Sequence, residues 1–137
     1  MELHEIKWLV VHSSKTPNDK EITAKELTRQ HRLEGATDCA HHYIITRDGY
    51  EHKARNITTP GIGSETPEIN KSSISICLVG TDEYTPEQLK QLRKTLVSFR
   101  SLFNKAIVIG HDQLEPEHGK GCPGFDVQKW YYKKRKK

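Results

Sequence analysis

The chain has no apolar run near the roughly 18 residues that a transmembrane helix needs, and nothing in it reads as a membrane span. No internal repeat and no second domain are visible. The opening residues, Met1 to Glu5, are acidic and lack the basic start and apolar stretch of a secretory signal. The expectation is a protein made in the cytoplasm. The cysteines, Cys39, Cys77 and Cys122, are odd in number, which argues against a disulfide framework. Each is then a core thiol, a ligand or a nucleophile. Excess positive charge is also missing from the body of the chain. The net charge is +4, but the last nine residues hold six of the 22 Lys and Arg and no acid, leaving 16 basic against 18 acidic residues. A basic end of this kind suits an anionic envelope, a membrane surface or nucleic acid, or is simply solvated.

What is present is the balance of a soluble globular domain: 137 residues, 34% hydrophobic and 29% charged. Lys7 to His12 reads as a buried strand ending in a histidine. Thr23 to Glu26 fits a capping box, with Ile22 and Leu27 as its hydrophobic staple. The helix it opens should run to about Glu34, where Gly35 ends it. His41 to Thr46 and Tyr50 to Arg55 read as strands joined by the Asp48-Gly49 turn. Asn56 to Lys71 reads as one long loop, and Ile74 to Val79 as a central strand. Thr85, Pro86 and Gln88 open a second helix, along which Leu89, Leu92, Leu96, Phe99 and Phe103 form one apolar stripe. Ala106 to Gly110 is a short buried strand, followed at once by His111. Asp126 caps a final short helix. The fold expected is a single α/β domain, a mixed central sheet flanked by helices.

His12 and His111 each follow an apolar strand, and Cys122 lies on the Gly121-Cys122-Pro123-Gly124 turn. Two imidazoles and a thiolate make a good zinc set, and three protein ligands leave a fourth position open for water. The residues alone leave other readings standing. A histidine at a strand end is ordinarily structural, and Cys122 suits a core thiol or a nucleophile paired with histidine. Cys39 and His41 form a rival ligand pair, and Cys77 reads as core. No partner is evident for His4, His31, His52 or His118.

Five segments narrow the choice. Val10 to Ser14, His42 to Gly49, Ser73 to Gly80, Gly110 to Asp112 and Lys120 to Asp126 occur in an order that resembles the N-acetylmuramoyl-L-alanine amidases of the phage-lysozyme type, relatives of the peptidoglycan recognition proteins. The resemblance covers roughly residues 7 to 132 and implies a zinc cleft on one face of the sheet. It implies zinc ligands at His12, His111 and Cys122, and a cleft lysine at Lys120 that would stabilise an oxyanion. It implies a zinc amidase domain over residues 1–132 and a basic tail over 133–137. The substrate implied is peptidoglycan, cut between N-acetylmuramic acid and L-alanine by an endolysin-type enzyme that reaches the wall once the membrane is permeabilised.

Two positions depart from the pattern. The family tyrosine before the residue matching His42 is here His41, which we assign the acid–base role, because imidazole titrates near 6.5 and tyrosine near 10. Tyr43 is read as out of phase with that position and turned to the opposite face, and His42 as packed. Glu65 stands where related phage enzymes often carry a histidine, so substrate preference is expected to differ. Asp112 and Asp126 are candidates either to hold a ligand side chain in place or to cap a helix, with capping favoured for Asp126. A monomer is expected. The resemblance also spans relatives that bind peptidoglycan without cutting it and a phage relative that binds an RNA polymerase, so a binding or regulatory role is the alternative. Nucleic-acid binding through the aromatic and basic tail is not expected, because the body is near neutral.

Overall fold

The structure, a computed structural model, describes residues 6–35, 39–64 and 66–133. His4, Glu65 and all but the first residue of the 133–137 tail therefore lie outside the described residues.

Five strands form one sheet in the order β3-β2-β4-β1-β5, with β1 at Trp8–Ser13, β2 at Tyr43–Ile45, β3 at Glu51–Lys53, β4 at Ser73–Leu78 and β5 at Ile107–Gly110. β1 runs parallel to β4 and β5, and β2 runs parallel to β4. Only the β2–β3 hairpin is antiparallel. Its turn rests on Gly49 at φ +85, a conformation in which a Cβ would be strained.

Side-chain alternation along the strands divides the molecule. Leu9, Val11, Ile74, Ile76, Leu78 and Val108 face one side and form the main core with Leu92, Leu96 and Val127. The helices supplying these last residues are α3, Pro86–Leu102, and α5, Val127–Tyr132. Helix α3 opens on a full capping box, with Thr85 accepting from the Gln88 N–H and Gln88 returning to the Thr85 N–H. The same Gln88 is fully buried and donates to Ile45 O and Val79 O, so a polar residue fixes the helix to the sheet without leaving unmet groups. On the other side, Ile44, Cys77 and Cys39 pack with Leu27 of α1, Ala24–Leu33. His12 and Ser75 also point to this side, the side of the cleft.

The long loop of the sequence reading is interrupted. Pro67–Lys71 is a short helix, α2, with proline in its first turn. There the missing N–H costs nothing, so the residue that reads as a breaker starts a helix. A second short helix, α4, occupies His111–Leu114 directly after β5. Tyr43 does face away from the cleft and packs against Phe99. Residues two apart on a regular strand share a face. Tyr43 and His41 diverge because β2 starts only at Tyr43, leaving His41 on the irregular approach.

Core and surface apolar positions should respond differently to truncation. Leu96→Ala, at a fully buried site, is expected to cost about 2–5 kcal/mol in urea denaturation. Leu33→Ala, at a site 79% exposed, should stay within about 0.5 kcal/mol.

Candidate metal centre and cleft

The register that pairs Val11 with Gly110 sets the next residues, His12 and His111, side by side at the C-terminal ends of β1 and β5. Their ring centroids are 4.5 Å apart. The loop after α4 brings Cys122 to them. Its Sγ accepts from the Ser13 N–H at 3.2 Å, while Tyr84 donates to Pro123 O at 2.6 Å and anchors the loop. Gly119 permits this closure, because a Cβ there would lie 2.6 Å from the His111 backbone. One donor atom from each of His12, His111 and Cys122 falls within 4.8 Å of the other two, and all three residues are buried. They stand at an open cleft of about 680 Å³.

This donor set fits zinc. Two nitrogens and one sulfur are the ligand types it prefers, and three leave a position open. Burial drives the His12 imidazole well below its ordinary pKa, with His41 and His111 adding to the effect. His111 is lowered chiefly by burial, which outweighs the opposing pull of Glu115. Both rings are thus held in the neutral form that binds metal. The Cys122 thiol is raised by burial, while the Ser13 N–H and hydroxyl favour its thiolate.

His111 has a partner that the sequence reading missed. Its Nε2 lies 3.1 Å from Glu115 Oε1, and Thr66 donates to Glu115 Oε2 at 2.9 Å. A carboxylate so placed orients a ligand imidazole and selects which nitrogen faces the metal. The spacing of four residues on one helical face was the available signal. Of the acids named from sequence, Asp126 caps α5 by accepting from the Lys129 N–H. Asp112 has one buried oxygen without a partner among the described residues.

His41 also lines the cleft, its ring 4.6 Å from that of His12. Its Nδ1 lies 2.6 Å from Ser75 Oγ, so Nε2 is the nitrogen left for other contacts. Burial, then the neighbouring His31 and His42, push its pKa down to about 3. His42 is fully buried and packed. Its Nδ1 accepts from the Ser75 N–H and its Nε2 donates to Thr59 O. His31 accepts from the Ala40 N–H and, like His118, borders the cleft. His52 pairs with Thr46. Lys120 is exposed on the ligand loop and is not among the side chains that line the cleft, whereas Lys15 is. Cys39 and Cys77 lie in the second core cluster, and neither joins the ligand group.

Fold and site together define a single-domain α/β protein, a mixed sheet with flanking helices and a candidate metal centre at the carboxyl ends of its strands. The chain belongs to the N-acetylmuramoyl-L-alanine amidase family, whose model matches residues 2–125, and it is an N-acetylmuramoyl-L-alanine amidase. It is 31% identical to the endolysin of Enterobacteria phage K11 over 134 residues, covering 92% of this chain and 85% of the relative. Against the endolysin of Escherichia phage T7 it is 31% identical over 133 residues, covering 91% and 85%. The fold matches that of the amidase LysC from Clostridium intestinale URNW, with TM-score 0.76, 20% identity and 91% and 80% of the two chains covered. It also matches bumblebee PGRP-SA, with TM-score 0.78, 19% identity and coverage of 94% and 81%.

Glu115→Gln should weaken zinc binding about 10–100-fold in a chelator competition, since it removes the charge that orients His111. The imidazoles also set a pH dependence for the metal-free protein. Unfolded histidines protonate near 6.5, but His12, His41 and His111 resist protonation when folded. Below about pH 6.5 the unfolded chain therefore binds more protons, and stability falls as pH drops toward the folded values. Tm should decline from pH 7 to pH 5, and His41→Gln should make the decline shallower.

Proposed function

We propose that the chain hydrolyses the amide between N-acetylmuramic acid and L-alanine of peptidoglycan with zinc held by His12, His111 and Cys122. The observation that carries this reading is the ligand set itself, three donor atoms within 4.8 Å of one another at an open cleft. Zinc, when bound, supplies a water activated near neutral pH and polarises the carbonyl under attack.

The protein's own groups do the rest. Glu115 fixes the His111 ring. His41, neutral and backed by Ser75, accepts a hydrogen bond from the attacking water through Nε2, and takes its proton for the departing amine only as negative charge builds beside the ring and offsets its low basicity. Lys120, exposed two residues before Cys122 on the same loop, carries the oxyanion-stabilising charge that the resemblance implies. The groove beyond the ligands, bordered by Gln30, His31 and Ile62, holds the glycan and stem peptide.

The biological role is that of a phage endolysin acting on the bacterial wall, supported by the endolysins among its relatives. No described helix is long and apolar enough to cross a membrane. In this reading the enzyme reaches the wall once another agent has permeabilised the membrane. The basic residues 133–137 assist by engaging the anionic envelope, and the enzyme works as a monomer.

Metal content and hydrolysis of purified sacculi, measured on one preparation, test the reading. Wild type should carry stoichiometric zinc and cut, and Cys122→Ser should lose both. His41→Ala should keep zinc and lose cleavage by about 10²–10⁴-fold, the usual worth of a positioned proton carrier. Zinc-loaded wild type that leaves sacculi intact would overturn the proposal in favour of a binding role. Deleting residues 133–137 should weaken sacculus binding at low salt and leave it unchanged at high salt, where screening removes the charge effect.

A further inference from the structure

Lys15 is the one non-glycine residue of positive φ among the described residues, at φ 58. That left-handed conformation is unfavourable for a side chain with a Cβ and ordinarily falls to glycine or asparagine. Such strain persists only where the surroundings over-determine it, and it collects at functional sites.

Both flanks of Lys15 are fastened. The Ser14 N–H donates to Leu78 O at 2.9 Å, and the Gly80 N–H donates to Ser14 Oγ at 2.9 Å. On the other flank the Thr16 N–H donates to Gly80 O, Thr81 Oγ1 donates to Thr16 O at 2.7 Å, and Ser14 and Thr16 join their hydroxyls at 2.6 Å. The chain leaving β1 is thus pinned to the end of β4 on either side of one exposed lysine. That lysine lines the cleft together with His12, His111 and Cys122.

A cation lining the cleft beside a metal centre is repulsive to the metal, and negative charge that arrives during the reaction accounts for its placement. Resting on the amidase reading above, we infer that Lys15 is a further catalytic residue, its ammonium stabilising the negative charge that develops on the scissile amide oxygen. The pinned, strained backbone directs the side chain toward the cleft, so its ammonium is within reach of the place where the charge forms. A rival role is electrostatic support of the Cys122 thiolate, and the two separate cleanly, because the rival predicts loss of zinc.

Zinc-loaded wild type, Lys15→Met, Lys15→Arg and Lys15→Gly are compared on a soluble muropeptide containing the N-acetylmuramoyl-L-alanine bond, with zinc content measured on each. Lys15→Met should lose kcat about 10²-fold, as removal of one oxyanion donor does, with KM little changed and zinc retained. Lys15→Arg should recover most of kcat. Lys15→Gly should also lose kcat, yet raise the Tm of the metal-free protein, because glycine adopts the left-handed backbone without strain. An unchanged kcat in Lys15→Met, a loss that tracks zinc, or a lower Tm in Lys15→Gly would each overturn the inference while leaving the amidase reading intact. A wild type that cannot cleave the muropeptide overturns both.

Discussion

The site depends on the parallel pairing of β1 with β5. Parallel neighbours end on the same edge of a sheet, so His12 near the end of β1 and His111 just after β5 meet at that edge, although they are 99 positions apart in sequence. Helices cover both faces of such a sheet, and ligands collect at the carboxyl ends of its strands. The pairing of β1 with β4 does the same for the other wall, bringing the end of β4 against the residues that leave β1. Everything that touches the cleft from these strands is held by a hydrogen-bonded ladder rather than by a free loop.

On that scaffold the chemistry of the site is one of uncharged imidazoles. His41 and His111 both crowd against His12, and burial, joined for His12 and His41 by the neighbouring imidazoles, keeps the three rings neutral. Without metal this is an expensive arrangement, because burying polar rings without full pairing lowers stability. A metal held there would turn the same crowding to advantage, since neutral rings already in place need neither lose protons nor be reoriented. Ser75 and Glu115 complete the arrangement by holding the rings of His41 and His111.

The loop elements show how glycine and proline serve the site rather than merely end structure. Gly119 lets the Cys122 loop close on the His111 backbone. Pro67 opens α2, which leads into β4, while Thr66 just before it holds Glu115. A chain of contacts thus runs from the loop before β4 through Thr66 and Glu115 to His111, joining that loop to the candidate ligand in a single hydrogen-bonded unit.

The strands and both long helices were legible in the sequence because their signals are local: Thr85, Pro86 and Gln88 fix a helix start, and the Ser73 to Leu78 alternation fixes which side chains enter the core. The ligand candidates were legible too, as histidines at strand ends and a cysteine on a tight turn. What sequence could not decide was proximity. That His12 lies beside His111 and Cys122 follows from strand order, and a strand's neighbours are set by packing across the whole sheet. The same holds for Glu115, whose role requires α4 to start at His111, and for Lys15. A lysine after a strand reads as solvated, and only the pinning of its neighbours to β4 turns it toward the cleft. Local periodicity determined the elements, and long-range hydrogen bonding decided which of their side chains share a site.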